Sequence, residues 1–221
     1  MTLEAIERET GPNPVATVIV LHGLGADGHD FSPFVDEVDL RAVGAVRWIF
    51  PHAPTRPVTI NGGYVMRAWY DILGSELVRR EDETGLRASQ ALVAGLIARE
   101  RTRGIAAGKI VLGGFSQGCA MTLMTGLRYP ERLAGLVCLS GYLPLAAKSE
   151  AERHAANRDT PIFMAHGTAD PVIPIARARE SRDVLLALGH PVEWHEYAMP
   201  HSVCAAEIAD LNRWLLRLLA A

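Results

Sequence analysis

Cysteine is scarce: Cys119, Cys138 and Cys204 are the three in 221 residues, odd in number, far apart and set among apolar neighbours. Without a C-x-x-C spacing they make neither a disulfide framework nor a thiolate zinc site, so buried free thiols in a reducing, cytosolic compartment are expected. Basic blocks are missing too, as is any interleaving of basic with aromatic residues, and a net charge of −3 provides no field for nucleic acid or an anionic membrane. The N-terminal MTLEAIERETGP has no apolar h-region, Thr2 excludes myristoylation, and the C-terminus carries no prenylation motif. Residues 110–127 are uncharged, but their Gly, Ser, Gln and Thr content reads as a buried turn and helix, not a lipid-facing span, so no stable membrane anchor is expected. The eight histidines include no H-E-x-x-H and no short His/Cys/Asp cluster beside a strand end, so neither a metal nor a cofactor is expected. Small molecules remain as the expected partners, and the oligomeric state stays open, a homodimer included.

What is present is ordinary globular composition, 49% hydrophobic and 21% charged, in a length that suits one domain over residues 1–221. No repeat, low-complexity run or linker divides it. Runs of buried-strand type occur at 17–21, 46–50, 110–112, 136–140 and 162–165, and 192–197 reads as the last strand. Helical periodicity appears after Ser32-Pro33, over 84–103, from Gln117 to about residue 127, over 176–188, and at Ile208, Leu211, Trp214, Leu215 and Leu218. Strands alternating with helices along the whole chain imply a mostly parallel central sheet with helices on both faces, an α/β architecture. Residues 52–83 hold no period: Pro54, Pro57 and Gly62-Gly63 break them, while Met66, Trp69, Tyr70, Ile72 and Leu73 keep them apolar. Such a loop reads as the wall of a pocket, although the same aromatics would also serve as a plug at the edge of the core.

Between the run at 110–112 and the helix from Gln117 stands Gly114-Phe115-Ser116-Gln117-Gly118, a G-x-S-x-G pattern. In that pattern the serine occupies a sharp strand-to-helix turn and its hydroxyl stands clear of the sheet. Alone, the pentapeptide is a weak signal, and an incidental serine in a glycine-softened turn is the lesser alternative. A serine nucleophile requires a base, and the base a carboxylate to fix its tautomer. Asp170 follows a strand by a few residues and His201 lies between the last strand and the last helix, which gives the order Ser, Asp, His of an α/β-hydrolase. Asp159, Asp183, His190 and His195 sit in a polar loop, on a charged helix face, at a helix stop and within a strand, so they are poorer candidates. His22 and His166 begin His-Gly turns at strand ends, where binding local backbone is the expected role. Two amides are needed for the oxyanion: Gln117, next to the nucleophile, and Leu24, in the glycine-flanked turn after the first buried strand.

The segments LHGLGADGHDF (21–31), NGGYVMRAWYDI (61–72), GFSQGCAM (114–121), LSGYLP (139–144), HGTADPVIP (166–174) and MPHSV (199–203) resemble the phospholipase/carboxylesterase family, which includes bacterial carboxylesterases and acyl-protein thioesterases. The resemblance covers nearly the whole chain. It implies an α/β-hydrolase fold, the triad Ser116, Asp170 and His201, the oxyanion donors Leu24 and Gln117, and an acyl groove near Trp69, Ile72 and Leu73; Val172, just beyond Asp170, belongs to the same expected wall. Cys119 and Pro200 depart from it, each standing where the family usually has glycine. The expected activity is that of a serine carboxylesterase on short- to medium-chain acyl esters or thioesters. An acyl-protein thioesterase or lysophospholipase is the alternative, and a non-catalytic binding module on the same fold is a third reading.

Overall fold

Doubly buried strands dictate the architecture. A computed structural model describes residues 3–74 and 81–220. Its central sheet has seven strands: β1 (Ala5–Glu9), β2 (Ala16–Leu21), β3 (Val46–Pro51), β6 (Ile110–Phe115), β7 (Gly135–Leu139), β8 (Ile162–Gly167) and β9 (Val192–Tyr197), in the spatial order β1-β3-β2-β6-β7-β8-β9. All neighbours run parallel except β1, which pairs antiparallel with β3. Two further strands, β4 (Thr55–Val58) and β5 (Tyr64–Arg67), form a separate antiparallel hairpin.

Every residue of β2, β3, β7 and β8 is buried, because helices cover both faces. Alternation sorts the side chains: Ile19, Leu21 and Leu112 face one core, which they share with helices α2 (Glu83–Thr102), α3 (Gln117–Gly126) and α5 (Ile175–Ala187). Val18, Val20 and Val111 face the other, shared with the short α1 (Phe34–Glu37) and α6 (Ala205–Leu219). Trp48, Phe50 and Phe163 are fully buried in that second layer, and each such side chain contributes about 2–3 kcal/mol. A buried ion cluster links β2 and β3 to α2. Glu100 accepts from Thr17 Oγ1 at 2.9 Å, Arg47 Nη1 at 2.7 Å and Arg103 Nη1 at 3.0 Å. Removing Glu100 would leave the buried Arg47 with Glu9, 2.8 Å from its Nε, as the remaining carboxylate partner, and a buried donor left unsatisfied costs about 1–3 kcal/mol.

The chain runs from β2 to β3 on one side and then crosses to β6 on the other, so the connections diverge between β2 and β6. Ligands bind at such a switch point, beyond the carboxyl ends of the strands. The helices over 84–103 and 176–188 and the C-terminal helix form as expected, with ends shifted by a few residues.

Three elements differ from the sequence expectation. β1 carries the polar string AIERE and is half exposed, so it shows no apolar run. The stretch before Asp159 contains a seven-residue helix, α4 (Ala146–Glu152). The expected loop at 52–83 is in large part ordered by the β4–β5 hairpin, a turn of 3-10 helix at Thr59–Asn61 and a bridge from Ile72 to Glu81; positions 75–80 of that loop lie outside the described residues. Among the described residues, no helix is long and apolar enough to cross a membrane.

Glu207, third residue of α6, is fully buried, and neither carboxyl oxygen has a well-formed hydrogen bond although the Cys204 amide leans toward it. Burial pushes its pKa up to about 8. The folded state therefore holds a proton that the unfolded chain releases near its ordinary 4.5, and stability falls as pH rises through that window. The slope is on the order of 1 kcal/mol per pH unit. Chemical denaturation at pH 5 and pH 8.5 checks this: Glu207→Gln is expected to flatten the difference, and an unchanged pH dependence would assign it to other groups.

Candidate active site

The elbow is built by close approach. Ser116 takes φ 56° and ψ −116°, a conformation unfavourable for a residue with a Cβ, and caps the N-terminus of α3. A Cβ on Gly118 would stand 2.0 Å from the Leu21 carbonyl oxygen, so no other residue fits between β2 and the first turn of α3. The Ser116 N–H donates to Leu139 O at 2.9 Å, which secures the turn to β7. Cys119, in the same turn, packs on the bare Cα of Gly141, where a Cβ would meet its sulfur at 2.5 Å. The departure from glycine at 119 is thus accommodated by a glycine opposite.

His201 and Asp170 converge on this serine from separate loops. His201 Nε2 lies 2.9 Å from Ser116 Oγ and His201 Nδ1 lies 2.6 Å from Asp170 Oδ2. The Asp170 carboxylate has no exposed surface, and its Oδ1 accepts from the Val172 and Ile173 amides at 2.8 and 2.9 Å. Those bonds hold the anion and aim Oδ2 at the imidazole. Behind it, His166 donates from Nε2 to Ile173 O at 2.8 Å and reaches within 3.3 Å of Asp170 Oδ2, and burial lowers its pKa, so it stays neutral there. The Asp170 loop is itself fastened to the His201 segment by Thr168 N–H to Tyr197 O and Ala169 N–H to Met199 O.

The two amides expected to bind an oxyanion lie where the backbone leaves them free. Gln117 opens α3, and its own N–H, like that of Leu24 in the turn closed by Ala26 N–H to Gly23 O, has no acceptor among the described residues. Gly23 permits the approach, since a Cβ there would come within 3.3 Å of Ser116 Cβ. His22 fastens this turn: Nδ1 donates to Gly23 O at 2.7 Å and Nε2 accepts from Ala53 N–H at 2.9 Å. Burial lowers its pKa, as that neutral tautomer requires.

An apolar cavity of about 340 Å³ opens beside Ser116, its wall including Leu24, Ile60, Tyr70, Ile72, Tyr142 and Ile173. Val172 stands at the mouth, 58% exposed. The Tyr70 and Tyr142 hydroxyls are hydrogen-bonded at 2.8 Å. Of the residues expected here, Ile72 and Val172 take part and two do not. Trp69 has no exposed surface: its indole N–H donates to His22 O at 2.9 Å, its backbone N–H to Gln117 Oε1 at 2.7 Å, and its carbonyl accepts from Ser89. It clamps the turn after β2 to the elbow from behind the wall. Leu73 is partly exposed outside the lining, which passes from Ile72 to Gly74. Tyr142 was missed because it is far from Ile72 in sequence and arrives through the loop after β7, and Ile60 because the hairpin that folds it back onto Ile72 shows no period.

A second gathering also escaped the sequence reading. Asp27, His29 and His52 bring potential metal-ligating atoms within 4.8 Å of one another beside the ends of β2 and β3, contrary to the expectation of no such cluster. Here these groups bond each other and the loop: His29 Nδ1 to Asp27 Oδ1 at 2.9 Å, and Gly28 N–H to His52 Nδ1 at 3.2 Å.

The chain is 41% identical to acyl-protein thioesterase 1 of Neurospora crassa over 224 residues, covering 97% of this chain and 89% of that protein. Acyl-protein thioesterase 1 of Yarrowia lipolytica is 40% identical over 205 residues, 90% of each chain. Among solved structures, Arabidopsis thaliana SOBER1 superposes with a TM-score of 0.88 at 29% identity, over 92% of this chain and 99% of that one. Zea mays acyl-protein thioesterase 2 gives 0.84 at 29% identity, over 97% and 99%. The sequence model of the phospholipase/carboxylesterase family matches residues 2–219, and this chain therefore belongs to that family and is a serine hydrolase of ester or thioester bonds.

Proposed function

We propose that the chain hydrolyses fatty-acyl thioesters, and oxygen esters of the same acids, through an acyl-enzyme on Ser116. The observation that carries this reading is an apolar cavity opening directly at a serine whose hydroxyl lies 2.9 Å from an imidazole nitrogen. Between a short- to medium-chain carboxylesterase and an acyl-protein thioesterase, the names of the aligned relatives support the second. The three free thiols, two of them buried, fit work in a reducing compartment.

In this mechanism His201 Nε2 takes the Ser116 proton as Oγ bonds to the acyl carbon, and Asp170 holds the imidazolium that forms. The carbonyl oxygen becomes an oxyanion received by the Leu24 and Gln117 amides, each worth about two to three orders of magnitude in rate. Collapse breaks the bond to sulfur or oxygen, His201 returns its proton to the leaving atom, and water repeats the sequence on the acyl-enzyme.

Two sets of kinetics test this. Ser116→Ala and His201→Ala are each expected to lower kcat by roughly five to six orders of magnitude with the double variant hardly worse, because the groups act as a unit. Asp170→Asn is expected to lose about ten-thousandfold while the fold survives, since it favours the wrong tautomer. Additive losses would break the triad assignment.

For the acyl chain, kcat/KM on p-nitrophenyl esters from acetyl to dodecanoyl is expected to climb about fourfold per added carbon until the cavity fills. Ile72→Trp should move the optimum to shorter chains, whereas Trp69→Ala should lower all lengths alike. A matched S-acyl peptide left intact while acetyl esters turn over would return the protein to the carboxylesterase reading.

A further inference from the structure

Two cavities meet at Ser116, and only one of them has been given an occupant. The second, about 480 Å³, lies on the other side of the nucleophile, and Leu24, Ser116 and Val172 are the residues the two share. His201 borders the second cavity and not the first. That asymmetry assigns their contents. His201 must deliver a proton to the departing sulfur or oxygen, so the departing group lies on the imidazole's side and the acyl chain on the other.

The walls of the second cavity have a definite chemistry. Phe34, Phe31 and Phe115 form a continuous aromatic row that ends on the catalytic imidazole: centroids are 5.1 Å apart for Phe31–Phe34, 5.7 Å for Phe31–Phe115 and 4.7 Å for Phe115–His201. Asp30 contributes the one carboxylate of the lining, which contains no Lys or Arg among the described residues. The Asp27 N–H donates to Asp30 Oδ2 at 2.8 Å and holds that side chain in place. Aromatic faces and a fixed anion with no competing cation attract positive charge on an apolar stem, the combination used to bind ammonium groups.

We propose that this cavity is the leaving-group site and that it selects thiols or alcohols carrying a cationic group a few bonds from the reacting atom. The proposal rests on the ester and thioester hydrolysis set out above and leaves its bond changes as they are: the acyl carbon leaves sulfur for Ser116 Oγ, and the serine proton travels through His201 to the released thiol. It adds what that thiol carries. An exposed carboxylate beside the phenylalanine row gives a preference of about fivefold to tenfold over a neutral group of the same shape.

Hexanoyl thioesters with three leaving groups test it, since all yield the same acyl-enzyme and differ in acylation alone: thiocholine, its neutral isostere 3,3-dimethylbutanethiol, and 3-mercaptopropanoate. From thiol release, kcat/KM is expected to follow cation over neutral by about fivefold to tenfold, with the anion lowest, and the ratio should shrink as salt is raised. Asp30→Asn should draw the cation-to-neutral ratio to about twofold or less, chiefly through KM, and Asp30→Lys should place the anion above the cation. Equal rates for thiocholine and its isostere, or an Asp30→Asn loss shared equally by all three, would overturn the proposal. The corresponding alcohols, choline, 3,3-dimethylbutanol and 3-hydroxypropanoate, as oxygen esters run in parallel separate the two readings: cleavage of oxygen esters alone defeats the thioesterase reading, while the cation preference is read from whichever series turns over.

Discussion

A single backbone constraint organises the molecule, the left-handed turn at Ser116. Holding a residue with a side chain at φ 56° costs on the order of 1–3 kcal/mol, and it persists because its surroundings permit nothing else. Gly118 passes against the Leu21 carbonyl where no Cβ fits, and the Ser116 amide is held by Leu139. The turn has three results at once. It lifts Oγ out of the sheet, it frees the Gln117 amide at the start of a helix whose dipole favours negative charge, and it puts both beside the β2 turn that carries Leu24. Central strands are the stiffest part of such a sheet, and the strain is stored there.

The loops then divide the labour of holding the remaining groups. Asp170 is fixed by two amides of its own loop, and His201 by Asp170. Gln117 and Trp69 are coupled through side chain and backbone, and Trp69 with His22 secures the oxyanion turn from below. The imidazole lies to one side of Ser116, bordering one of the two cavities that meet there and not the other. In the proposed reading, chain length and leaving-group charge fall to different residues, Ile72 and the tyrosine pair on one side, Asp30 and the phenylalanines on the other.

Much of this was legible in the amino-acid sequence where burial leaves a strong pattern. β2, β3, β7 and β8 are buried throughout and largely apolar because helices cover both faces, and motif-bearing turns follow the carboxyl ends of the central strands. β1 was illegible for the converse reason: one edge strand with a wet face reads AIERE. The hairpin at 55–67 is made of four-residue strands interrupted by Pro57 and Gly62-Gly63, too short to show a period. Trp69 was misread because an aromatic in a loop has the same signature whether it lines a cavity or clamps the backbone behind it. Asp27, His29 and His52 are brought together by two neighbouring strand ends, a juxtaposition that spacing along the chain does not encode.

The central claim is that one activated serine, at the elbow, carries the acyl group. Labelling the folded protein with a fluorophosphonate and mapping the adduct by peptide mass spectrometry tests it most directly. A single adduct on Ser116, lost in His201→Ala, is expected; an adduct on another residue, or equal labelling of the His201 variant, would rule the assignment out.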